Sequence, residues 1–147
     1  MPIIQTPGTY DPSKIILIVG PVTVSGYAEG TFVTAKRNNP SVSTKSGADG
    51  NYSFNVNPDV TGVIEFTLKT TSVGNSLLSA LFASQDLTGV VVKQPVTIKD
   101  AFSPTSLRTM PIAAYQGLPD YERAQEEGTT VWRFVGGLYG SDGGNIV

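Results

Sequence analysis

Val63-Ile64-Glu65-Phe66-Thr67-Leu68-Lys69-Thr70-Thr71 alternates apolar and polar residues over most of its length. A period of two places Ile64, Phe66 and Leu68 on one face and Glu65, Thr67 and Lys69 on the other, the pattern of a strand lying half on a core. The same reading extends outward from it. Ile15-Ile16-Leu17-Ile18-Val19 is rich in β-branched residues and stops at Gly20-Pro21, after which Val22-Thr23-Val24-Ser25 returns as a hairpin. Residues 31–37 give another strand, with Phe32, Thr34 and Lys36 on one face. Tyr52, Phe54 and Val56 share a face of the strand that follows Asp49-Gly50, a pair that favours a hairpin turn because glycine reaches positive φ cheaply. Residues 106–115 and 129–139 read as the last two strands, with Trp132 and Phe134 facing one way and Val131, Arg133 and Val135 the other. Pro95 between Val90-Val91-Val92 and Val96-Thr97-Ile98 reads as an interrupted edge strand, since proline cannot donate to a ladder.

One helix is expected. Leu77, Leu78, Leu81 and Phe82 make a narrow apolar stripe, Asn75 or Ser76 offers a cap, and Gly89 lies just beyond the end. The total is about eight short strands and one helix: a mostly-β sandwich or barrel with the helix packed at its side. At 147 residues the chain is read as one domain, 1–147, with an extended arm over 1–14 and a flexible glycine-rich tail over 140–147. The polar excursion 38–51 is longer than a minimal hairpin needs and is read as a protruding loop.

The composition argues against catalysis. The chain has neither histidine nor cysteine, so the commonest neutral-pH base, the commonest metal ligand and the thiol nucleophile are missing together. Glu122, Glu126 and Glu127 could pair as carboxylates, but they lie in a polar connection and read as a solvated loop. Asp49-Gly50-Asn51 lacks the further oxygen ligands that a calcium loop requires. No enzyme, cofactor or metal is expected. The net charge is −2 and basic clusters are absent, so specific nucleic-acid binding is not expected either. Met1-Pro2-Ile3-Ile4 has no basic leader, and the apolar run 15–19 is too short to cross a bilayer, so neither export nor membrane insertion is expected.

Three stretches in order resemble the tail tube proteins of contractile-tailed bacteriophages. The first is Tyr10-Asp11-Pro12-Ser13-Lys14 running into 15–19. The second is Ser25-Gly26-Tyr27-Ala28-Glu29-Gly30-Thr31-Phe32-Val33, followed by Ala35-Lys36-Arg37-Asn38 and Gly47-Ala48-Asp49-Gly50. The third is Thr61-Gly62-Val63-Ile64-Glu65-Phe66-Thr67-Leu68, followed by Thr71-Ser72 and residues 75–81. Residues 115–128 depart from that pattern. The resemblance implies a tail-tube-like β-sandwich or barrel and a virion protein assembled in the host cytoplasm. It implies hexameric rings stacked into the inner tail tube, the conduit for genome ejection. The tail sheath would lie outside, terminator and baseplate proteins at the ends, and DNA would pass through without specific binding. A long hairpin loop would join ring to ring, which here points to Asn38, Asn39, Lys45, Asp49 and Asn51. Glu65, Thr67 and Lys69 are the candidate lumen face. Three alternatives stand beside it. One is a monomeric ligand- or carbohydrate-binding β-sandwich that stacks sugars on Tyr27, Tyr52, Trp132 or Tyr139. The others are a sheath or baseplate adaptor of the same particle and a small hydrolase.

Overall fold

The fold was obtained as a computed structural model, which describes residues 10–101 and 107–141. Ten strands and one helix occur among them: β1 Ile15–Val19, β2 Val22–Val24, β3 Val33–Arg37, β4 Val42–Ser46, β5 Tyr52–Val56, β6 Thr61–Lys69, α1 Val73–Thr88, β7 Lys93–Asp100, β8 Leu107–Tyr115, β9 Thr129–Gly137 and β10 Tyr139–Ser141. The protein is mostly β with one helix, as the alternation requires. The main sheet runs β2-β1-β7-β8-β9-β6-β3, with β10 on β8, while β4 and β5 form a separate two-stranded ribbon.

Strand β6 lies between β9 and β3. Along β6, Ile64, Phe66 and Leu68 are fully buried while Thr61 and Lys69 at its ends are exposed. Its nine residues pair throughout with β9, from Thr61–Gly137 to Lys69–Thr129. Phe66 and Phe134 stack at 5.7 Å, so the alternation of both strands delivers aromatic rings to the same side. The sheet then rolls. Just beyond β2, the Ala28 amide donates to the Thr67 carbonyl at 3.1 Å and the Lys69 amide to the Gly26 carbonyl at 2.9 Å. The chain leaving one end of the strand order therefore lies on β6 near the other end, and the inner faces close on a single core.

The helix covers that core. Leu78 and Phe82 are buried, and Phe82 stacks on Tyr115 at 5.0 Å and meets Phe134 at 5.3 Å. Leu77 stays exposed and Leu81 only packs at the margin, so half of the expected stripe reaches the core. The start also lies earlier than Asn75 or Ser76: Ser72 is the N-cap, its Oγ accepting from the Gly74 amide at 3.2 Å and donating to the Ser25 carbonyl at 2.6 Å. Gly89 ends the helix at φ 72°, a left-handed value that suits glycine.

Three further expectations change. The strand around Pro95 is not an edge, because β7 lies between β1 and β8. Proline is tolerated there by a bulge: Gln94 pairs with Ala113 and Val96 with Met110, so Pro95 faces the two residues Pro111 and Ile112. Residues 12–14 of the expected N-terminal arm form a 3-10 turn capped by Asp11, whereas 1–9 lie outside the described residues. Residues 140–141 of the expected C-terminal tail belong to strand β10, and 142–147 lie outside the described residues.

Candidate assembly surfaces

The excursion read as a protruding loop contains β4, which pairs with β5 from Val42–Val56 to Ser46–Tyr52. The two strands and their turn form an arm of about 17 Å in strand length, at roughly 3.4 Å per residue. No residue of either strand is buried. Opposite partners share a face, so Val42, Val56, Phe54 and Tyr52 line one side together with Thr44 and Ser46. These four apolar side chains are 52%, 77%, 65% and 68% exposed. Tyr52 and Phe54 meet edge to face at 5.6 Å, which covers little of either ring. The shared face expected of Tyr52, Phe54 and Val56 exists, and it belongs to the arm.

The five arm residues singled out from the sequence fall into two groups. At the base, the Asn38 amide side chain donates to Thr61 Oγ1 at 3.3 Å and that of Asn39 to Asp59 Oδ2 at 2.9 Å. The Thr61 hydroxyl and amide, with Asn39, hold the Asp59 carboxyl below its usual value. At the tip, Asp49 accepts from the Asn51 amide at 3.2 Å and from its side chain at 2.8 Å, and these bonds lower its pKa too. Gly50 completes the turn at φ 86°. Lys45 lies between the groups, opposite Ser53.

Glu65, Thr67 and Lys69 lie together on the outer side of β6. Glu65 is not a free carboxylate. It stands opposite Arg133 and accepts from Arg133 Nε at 2.8 Å. The middle of that face is consequently close to neutral.

The aromatic residues of the alternative sugar-binding reading are dispersed. Trp132 is 2% exposed and donates through Nε1 to Asn75 Oδ1 at 2.9 Å, Tyr52 is on the arm, and Tyr139 is on β10. Tyr27 is half-buried against Phe32, at 4.8 Å. Among the described residues no group of three or more His, Cys, Asp and Glu could hold a metal, and no helix is long and apolar enough to cross a membrane. Glu127 is tied down: the Thr71 hydroxyl and amide donate to its carboxylate and lower its pKa.

Sequence reasoning missed a basic cleft of about 310 Å³ at the junction of β3, β8 and β10, lined by Lys36, Arg37 and Arg108. Lys36-Arg37 and Arg108 are far apart in sequence, and the pairing of β10 with β8, with the bonds of Arg37 and Arg108 to the Leu138 and Ser141 carbonyls, brings them together.

No family model matches this chain, and no curated protein matches it. Solved structures do. The chain is similar to the tube-terminating cap of the anti-feeding prophage, at TM-score 0.62 and 13% identity, over 95% of this chain and 93% of that one. It is also similar to the sheath/tube terminator of the extracellular contractile injection system PVC in its extended state, at TM-score 0.61 and 13% identity, over 91% and 95%. At such identity the likeness shows a shared fold, and it spans nearly the whole of each chain.

Proposed function

We propose that this chain is a non-enzymatic structural subunit of the tube of a contractile tail, joined with copies of itself into hexameric rings that stack through the β4–β5 arm. The observation that carries this reading is the arm's uncovered apolar face. A two-stranded ribbon is marginal in water by itself, and Val42, Tyr52, Phe54 and Val56 have no core of their own to cover them. A neighbouring ring would supply one. The outer edges of β2 and β3 have no strand partner among the described residues, and lateral pairing within a closed ring would remove them. The likeness to two components of contractile machines supports the setting. The sheath would lie outside the tube, with baseplate and terminator proteins at its ends. The near-neutral face of Glu65, Thr67 and Lys69 is the candidate lumen wall, past which DNA would slide without being gripped.

A second reading has its own support, since both neighbours terminate a tube. A terminating ring would use the same arm to dock on the last ring of the tube.

Excising residues 41–57 and joining Pro40 to Pro58 through glycines tests the arm. No core residue is lost, so the thermal midpoint should change little. By electron microscopy the wild type should form rods of uniform width, while the excised protein should form at most single rings. Full-length rods from the excised protein contradict the stacking role. Wild-type rings that never grow into rods favour the terminator.

A further inference from the structure

The chain holds 12 acidic and 10 basic residues, nearly balanced, yet the fold separates a cluster of each sign along the β6–β9 pair. At the Thr61–Gly137 end lies the basic cleft. There Arg37 Nε donates to the Leu138 carbonyl at 3.0 Å and its Nη1 to Ser41 Oγ at 3.3 Å. Arg108 Nη1 donates to the carbonyls of Leu107 at 2.9 Å and Ser141 at 3.0 Å. All these acceptors are neutral, so the bonds fix the guanidinium groups in place without cancelling their charge. Asp59, whose pKa Arg37 helps to lower, is engaged by Thr61 and Asn39 at the base of the arm.

At the Lys69–Thr129 end, the connection 117–128 carries Asp120, Glu122, Glu126 and Glu127 against a single cation, Arg123. Arg123 lies over the Tyr121 ring at 4.2 Å and donates to the Glu122 backbone carbonyl, so it closes no ion pair with these carboxylates. Glu127 is pinned to Thr71, which fixes one end of the loop next to β9. The nine registered pairs of β6 and β9 put about 27 Å between the cleft end and the end where Glu127 is held. That is about three Debye lengths at physiological salt, so Glu127 and the cleft of one copy scarcely feel each other. Two copies placed end to end bring them together.

We infer that the cleft of Lys36, Arg37 and Arg108 on one copy receives the acidic loop, residues 120–127, of a neighbouring copy. Such a contact joins two different patches. It is therefore heterologous, and it closes into a ring or repeats along an axis. Because Arg37 also holds Ser41, the cleft lies directly under the arm, and both would face the same neighbour. The inference rests on the reading that copies of this chain assemble, and it names a polar contact that would set their register. Three cations alone would hold a nucleic acid weakly, and the complementary loop is present on every copy.

Charge exchange tests it. One variant carries Lys36→Glu and Arg37→Glu. The other carries Glu122→Lys and Glu126→Lys, which alter only exposed side chains and leave the fold untouched. By sedimentation at low salt, each variant alone should need about tenfold or more protein to assemble, because like charges then meet. An equimolar mixture should assemble as the wild type does, with the two variants alternating. The inference is overturned if the loop variant assembles as readily as the wild type, or if the mixture does no better than its parts. It is also overturned if the cleft variant keeps normal assembly and instead loses binding of a short DNA duplex that the wild type holds. A wild type that never assembles overturns the assembly reading itself, a result distinct from all of these.

Discussion

Asn75 shows how much one side chain can organise. Its amide nitrogen donates to the carbonyls of Lys69 and Thr70 at 2.9 and 3.3 Å, and its oxygen accepts from buried Trp132. It thereby ties the end of β6 to α1 and to β9. Asn75→Ala would leave the indole N–H without its partner, at about 1–3 kcal/mol of stability in a denaturant titration. Arg133→Ala breaks an ion pair whose side chains are 52% and 39% exposed, and it should cost no more than about 1 kcal/mol. Two tyrosines add a pH dependence. Burial pushes Tyr27 up to about 12, and burial together with Asp86 pushes Tyr115 up to about 12. Raised values mean that the fold prefers the neutral phenols. Their contribution is complete below the ordinary value of 10 and is lost as pH climbs from 10 towards 12. Thermal melts should fall over that window, and Tyr27→Phe should flatten the fall. At this scale the sequence revealed which residues turn inward on β6 and β9. It gave no sign that Asn75 would serve Trp132, 57 positions away, instead of capping the helix.

Elements were legible where a period repeats and illegible where a turn or a bulge intervenes. β1 was read with its observed bounds because five apolar residues end at Gly20-Pro21, and Gly20 indeed turns at φ 56°. β7 was misplaced because Pro95 alone looks like an edge. Its unusable nitrogen is absorbed by the bulge against Pro111 and Ile112, which lie sixteen and seventeen residues on. The helix start was set too late because the leucines drew attention to Asn75 and Ser76, whereas Ser72 does the capping. Ser72→Ala should therefore cost about 0.5–2 kcal/mol, at the upper end because the bond to Ser25 goes too. Ser76→Ala should cost little, and comparing the two midpoints tests the assignment. β9 and β8 approach so closely that a Cβ on Gly136 would lie 2.5 Å from the Ile112 carbonyl oxygen, so Gly136→Ala should force the strands apart, at about 1–3 kcal/mol. The alternation of Tyr52, Phe54 and Val56 was visible in sequence. That their face meets solvent was not, because a period of two fixes which residues share a side and not what lies against it.

At the scale of the whole molecule, three features support the proposed assembly: an arm with an uncovered apolar face, sheet edges without strand partners among the described residues, and a basic cleft at the opposite end of β6 and β9 from Glu127. The sequence pointed to self-assembly through its order of tube-like stretches, while the basic cleft depends on the pairing of β10 with β8, which no local pattern announces. Sedimentation velocity of the purified wild-type chain over a range of concentration and salt is the most direct test of self-assembly. A closed species near six times the chain mass of 15.5 kDa, growing into longer stacks as concentration rises, is the result that self-assembly requires. A single monomeric boundary under every condition would contradict it.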